Sequence, residues 1–121
     1  MRLIIAGSRT ITEQHIVVAA LSKSGFHPST IISGGAKGVD SVGESIAEEL
    51  ELNVERFPAE WDKYGKSAGY IRNVAMAENA DALLAVWDGV SRGTKHMIDI
   101  ARKKELPMYV FVPEYPRSDM Y

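Results

Sequence analysis

A chain of 121 residues with 45% hydrophobic and 25% charged residues has the size and composition of one folded domain, not of a disordered protein. The 16 acidic and 14 basic side chains leave a net charge of −2, so no overall basic field exists to hold duplex nucleic acid regardless of sequence. The absence of cysteine excludes disulfides, thiolate metal sites and a cysteine nucleophile, and it fits the reducing cytoplasm in which the chain is expected to reside.

The first predicted element is a strand from Leu3 to Ala6. Its apolar run is too short for a signal-peptide core or a membrane span. It empties into Gly7, Ser8 and Arg9, where an arginine can fork onto a phosphate or carboxylate. A helix is predicted from about Thr12 to Lys23 with Ile16, Ala20 and Leu21 inward. Thr10 and Glu13 stand at capping-box spacing, and Gly25 is its stop.

The second strand, Thr30 to Ile32, runs into Ser33-Gly34-Gly35-Ala36-Lys37-Gly38-Val39-Asp40. Glycines let the backbone come close to a ligand and expose its N–H groups, and the following helix points its positive end the same way. Ser33, Gly34, Gly35, Lys37 and Gly38 are therefore candidate phosphate contacts. A plain strand-to-helix turn uses the same residues, and the loop matches neither the Walker pattern nor Gly-x-Gly-x-x-Gly. The helix itself is the clearest in the chain. Val39, Val42, Ile46, Ala47 and Leu50 form one stripe, and Glu44, Glu48, Glu49 and Glu51 face away from it.

A third strand, Asn53 to Phe57, leads to a loop longer than a minimal connection, with Trp61 and Tyr64 in it. These rings can stack on a base, cover the core or meet a partner subunit. The helix from about Ala68 to Glu78 is predicted to turn Ile71, Val74 and Ala75 inward, with Arg72 and Asn73 near its start able to reach a sugar or phosphate. The fourth strand, Ala82 to Val86, opens into a second glycine loop, where Gly89, Arg92, Gly93 and Thr94 are candidate anion contacts. A helix over about Gly93 to Lys104 follows, with Met97, Ile98 and Ala101 inward. Leu106–Pro107 stops it before a fifth strand, Met108 to Val112.

Alternation of short apolar runs with helical periods predicts an α/β fold, a three-layer α/β/α sandwich on a five-stranded, mostly parallel sheet of order 3-2-1-4-5. Residues 1–113 are expected to form the single domain and 114–121 a polar tail. In such a sheet ligands bind beyond the carboxyl ends at the switch point, here between the first and fourth strands. Every unusual loop of the chain falls at that end. Its carboxylates are Asp40, Glu60 and Asp88, and its histidine is His96. Asp40 also suits a helix N-terminus simply by its charge. The three histidines lie on unrelated segments, so neither a metal site nor a cofactor is expected.

Together "IIAGSRT", "ISGGAKGVD", "PAEWDKYGKSAGYIRN" and "ADALLAVWDGVSRGTKHMIDIA" resemble the YspA-like branch of the SLOG superfamily, over about Arg2 to Pro113. These are Rossmann-like domains of bacteria and their phages, related to the LOG phosphoribohydrolases and to DNA-processing protein A. The resemblance implies a bound nucleotide or nucleotide-derived molecule, sometimes with cleavage of its N-glycosidic bond, and pairing into a homodimer or higher homo-oligomer. LOG enzymes carry Pro-Gly-Gly-x-Gly-Thr-x-x-Glu and an arginine one helix earlier. Arg72 matches that arginine and Gly93–Thr94 the Gly-Thr, whereas the glutamate positions fall on His96 and Met97. A hydrolase would then need Asp88 or Asp40 as its carboxylate, with Arg72 holding the phosphate. Three functions are expected to compete: a nucleotide-binding sensor or ligand-processing domain, an N-ribosyl hydrolase, and a module binding a single strand or another protein.

Overall fold

The structure is a computed structural model, and it describes residues 1–114. Most of the predicted tail lies outside the described residues. Five parallel strands, β1 (Arg2–Gly7), β2 (Thr30–Ser33), β3 (Asn53–Arg56), β4 (Ala82–Val86) and β5 (Met108–Phe111), form one sheet of order β3-β2-β1-β4-β5. Helices α1 (Gln14–Ser24) and α2 (Val39–Glu49) cover one face, and α4 (Ala68–Glu78) and α5 (Arg92–Lys103) cover the other.

The alternation of side chains along β1 explains the two cores. Leu3 and Ile5 pack with Val17 and Ala20 of α1 and Val39, Ile46 and Ala47 of α2. Ile4 and Ala6 pack with Met76 and Ala77 of α4 and Met97, Ile98 and Ala101 of α5. Strands covered on both faces are apolar throughout, and all five residues of β4 are buried. The chain steps outward from β1 to β3, then returns to β4 on the other side of β1. The carboxyl ends of β1 and β4 diverge there into separate loops.

Several local features depart from the predictions. The Thr10–Glu13 capping box does not form, because the Ile11 N–H donates to the Ser8 carbonyl at 3.3 Å and Ile11 is buried. The turn delays α1 until Gln14, with Glu13 at the cap position and no side-chain cap bond. Gly25 does end α1, with φ at 73°. Leu50 is exposed instead of joining the inward stripe of α2, since Glu51 takes a left-handed turn and Leu52 packs against the core in its place.

The inward face of α4 is also rotated. Ile71 and Val74 are exposed and Ala75 is half-buried, while Ala68, Asn73, Met76 and Ala77 are buried. The small Ala68 and Ala77 seat the helix close to its neighbours, and hydrogen bonds from Arg72 and Asn73 hold the polar residues inward. The predicted loop before it contains a short helix, α3 (Trp61–Tyr64), and a 3-10 turn over Gly65–Ser67. No helix of the described residues is long and apolar enough to cross a membrane.

Candidate functional site

A cleft of about 510 Å³ opens at the carboxyl ends of the strands, between β1, α4 and α5. Its construction begins with Ser8, which is buried where β1 ends. The Ser8 carbonyl accepts the Val39 N–H at 3.2 Å, and its Oγ accepts the Asp88 N–H at 2.9 Å. One residue thus ties the first loop to the start of α2 and to the loop after β4.

The glycine loop after β2 is held from within. Gly35 N–H donates to Ser33 Oγ at 3.1 Å, and Ala36 N–H donates to Asp40 Oδ2 at 3.4 Å. Ser33 in turn donates to Glu44 at 2.7 Å. Gly38, with φ at 78°, lies so near the Ser8 and Arg9 backbone that a Cβ there would collide with both carbonyl oxygens. These contacts commit the loop's N–H groups at 35, 36 and 39 to the protein. Lys37 is exposed and lies outside the cleft lining.

Asp40 and Arg72 sit in the cleft wall. Asp40 is 5% exposed, and burial pushes its carboxyl up to about 6, against the Ala36 N–H, the Arg72 charge and the Gly7 and Gly34 N–H groups, which pull it down. Burial likewise lowers Arg72, with Asp40 opposing and Arg9 assisting, yet a guanidinium remains charged at any physiological pH. Arg72 donates to the Gly34 carbonyl at 2.6 Å and to Asn73 Oδ1 at 3.0 Å. Any Cβ at Gly34 would strike the guanidinium and lie 2.9 Å from Asp40 Oδ2.

Asn73 joins α4 to α5. Its Nδ2 donates to the Gly93 carbonyl at 3.3 Å and lies 3.0 Å from His96 Nδ1. Helix α5 starts at Arg92, so the backbone of Arg92, Gly93 and Thr94 forms its first turn at the cleft. Those N–H groups have no intrahelical acceptor, and the helix dipole adds partial positive charge. Arg9, Lys66, Arg72 and Arg92 line the same space, and among the described residues Asp40 is the one carboxylate that does. Among the described residues the ion pairs are Arg2–Glu55, Arg56–Glu44, Lys95–Asp99, Arg102–Asp99 and Lys104–Glu78, and none uses a cleft cation.

The profile of the YspA, cpYpsA-related SLOG family matches residues 1–64. The Gene 61 protein of Mycobacterium phage D29 is 33% identical over 120 residues, covering 91% of this chain and 95% of that protein. The chain belongs to the YspA, cpYpsA-related SLOG family. The crystal structure of DNA processing protein A (DprA) from Streptococcus pneumoniae superposes with a TM-score of 0.71 at 14% identity. That match covers 97% of this chain and 51% of DprA, so this chain spans about half of that protein. What the two share is the fold.

In this SLOG domain Gly7, Arg9, Asp40, Trp61, Arg72, Asn73, Arg92, Gly93 and Thr94 come together on the cleft. Ser8, Ser33, Gly34, Gly35, Lys37, Gly38, Tyr64, Asp88 and Gly89 are not in its lining. Asp88 accepts the Val90 and Ser91 N–H groups at 2.9 and 2.8 Å and the Ser91 hydroxyl at 2.9 Å. Slight burial pushes Asp88 up, but these bonds outweigh it and hold the carboxyl below its usual value. Asp88 shapes the turn that launches α5. Glu60 occupies the cap position of α3.

Lys66, Tyr70 and Ser91 line the cleft without having been singled out in the sequence. A signal for two of them exists, since Lys66, Gly69, Tyr70, Asn73 and Met76 recur at helical spacing, the stripe that α4 and its preceding turn present to the cleft. Tyr70 packs edge-on against His96, with ring centroids 3.9 Å apart at 62°. Trp61 lies beyond Gly69, where a Cβ would stand 3.6 Å from its ring. The cleft thus has cationic walls and exposed aromatic rings on the α3–α4 side.

Proposed function

We propose that the cleft binds a nucleotide or nucleotide-derived molecule, its anion at the N-terminus of α5 and its base against Trp61 or Tyr70. The observation that carries this reading is the convergence of Arg9, Lys66, Arg72 and Arg92 on one cleft, with Asp40 as the only carboxylate in its lining and no cleft cation in an ion pair among the described residues. Guanidinium groups outside any salt bridge among the described residues, set around a helix N-terminus, favour phosphate over any neutral solute. The exposed rings favour a flat, stackable partner. Family membership supports the same ligand class. The test is thermal unfolding with AMP, GMP, CMP, UMP, NAD, ADP-ribose and inorganic phosphate. A ligand at 100 times its Kd adds about 2.7 kcal/mol and raises the midpoint by several degrees in a domain of this size. No shift with any of them would contradict the proposal.

Asp40 supports a second reading, hydrolysis of an N-glycosidic bond. A carboxyl near 6 facing a ligand cleft is poised to exchange a proton at neutral pH. The LOG glutamate positions carry His96 and Met97, so Asp40 is the carboxylate on which this activity depends. Free base should appear on incubation with a nucleoside monophosphate and vanish in Asp40→Asn. Release equal to that in buffer would remove the hydrolase reading and leave binding intact.

A further inference from the structure

We infer that His96 is a specificity residue of this cleft, offering a fixed Nε2–H donor to an acceptor on the nucleoside part of the ligand, about one helical turn from its anion. The inference rests on the nucleotide reading above and deepens it.

The polarity of one hydrogen-bonded chain sets the His96 tautomer. A guanidinium has donors only, so the Asn73 atom 3.0 Å from Arg72 Nε is the amide oxygen. The other end of the amide is therefore the NH2 group, which agrees with its position 3.3 Å from the Gly93 carbonyl, a group that only accepts. Flipping the amide would set N–H against N–H at Arg72 and oxygen against oxygen at Gly93. The same NH2 lies 3.0 Å from His96 Nδ1, so Nδ1 presents its lone pair. A neutral imidazole accepting at Nδ1 carries its proton on Nε2.

The ring is also kept neutral and held in orientation. Burial pushes the His96 imidazole below its usual value, Asp99 pulls it back up, and Lys103 lowers it further. Tyr70, packed edge-on at 3.9 Å, restricts rotation of the ring. The ring lines the cleft, and among the described residues nothing accepts from Nε2. The chain of donors that starts at Arg72 and passes through Asn73 thus ends at the ligand. His96 follows Arg92 by four residues, so it stands about 5–6 Å behind the helix start. A phosphate ahead of the N-terminus has the free N–H groups of the first turn to accept from, which leaves the Nε2–H for a sugar oxygen or an acceptor on the base.

The test is NMR of the histidine side chains at pH 7, with nitrogen-15 labelling and His96 assigned through His96→Gln. The expected free protein has His96 neutral with its proton on Nε2. AMP, GMP, CMP or UMP at saturation should move that proton downfield and slow its exchange with water. Inorganic phosphate should move the backbone amides of Arg92 and Gly93 and leave Nε2 where it was. His96→Leu should weaken the nucleotide about tenfold and phosphate not at all, with His96→Gln, which restores a donor near the same place, recovering most of the loss. A proton on Nδ1, an imidazolium at pH 7, or an Nε2 shift with phosphate alone overturns the inference. A nucleotide that moves the Arg92 and Gly93 amides but not Nε2 overturns it too, and leaves the cleft assignment standing. If no cleft amide responds to any nucleotide or to phosphate, the nucleotide reading itself fails and the inference falls with it.

Discussion

Asp40 joins a place in the cleft wall to a thermodynamic signature. Its ordinary carboxyl value is 3.8, and in the fold burial raises it to about 6. Between those values the folded state holds more protons than the unfolded one, so stability falls as pH rises from about 4 to 6. The loss approaches about 3 kcal/mol once Asp40 is charged. Asp40→Asn removes the buried charge and can still accept the Ala36 N–H. It should unfold at a higher temperature than wild type above pH 7 and lose that advantage near pH 4. A difference independent of pH would contradict the burial of a titrating carboxyl. Gly34→Ala tests the neighbouring contact, because its methyl group displaces the Arg72 guanidinium. Nucleotide affinity should fall at least tenfold in a folded protein, as read by calorimetry. Arg72 and Asn73 were legible in the sequence because both sit at the start of a helix entering the switch point. The role of Ser8 was not, since no local pattern announces that a carbonyl and a hydroxyl will each hold a different loop.

Two helix starts are candidates for the proposed anion, and their backbone N–H groups differ in how they are used. The start of α2 follows the more glycine-rich loop, yet the Val39 N–H is taken by Ser8 and the Ala36 N–H by Asp40. The start of α5 follows the plainer loop and faces the cleft. Arg92→Glu should therefore lower nucleotide affinity at least tenfold, while Lys37→Glu, in the other loop, should change it by less than twofold. Equal losses would return the phosphate to the first loop. Glycine content signals close backbone approach, but it does not reveal what approaches. At Gly38 the neighbour is the protein's own backbone. The rotated face of α4 has a similar origin. Ile71 and Val74 looked like core by apolarity, whereas tertiary bonds from Arg72 and Asn73 determine which side turns inward.

At the scale of the molecule, strand order and layers followed from the alternation of apolar runs and helical periods, because a parallel sheet buried on both faces leaves few other arrangements. Charge was less transparent. A net charge of −2 conceals a cleft lined, among the described residues, by four cations and one carboxylate, since other acidic residues lie on α2 away from it. The exposed Tyr64, Ile71 and Val74 lie on α3 and α4 outside the cleft lining, and we propose them as the surface for the self-association that the resemblance implies. Ile71→Asp should shift sedimentation toward the monomer without moving the nucleotide affinity. Unchanged sedimentation would place any assembly elsewhere. Whether the cationic cleft holds a nucleotide anion is decided by calorimetric titration of wild type and Arg72→Leu with the nucleotide that stabilises the protein most, at low and at physiological salt. Saturable binding that weakens with salt and falls at least tenfold in Arg72→Leu is the expected result. Binding of equal strength in both proteins would show that the ligand lies outside the cleft.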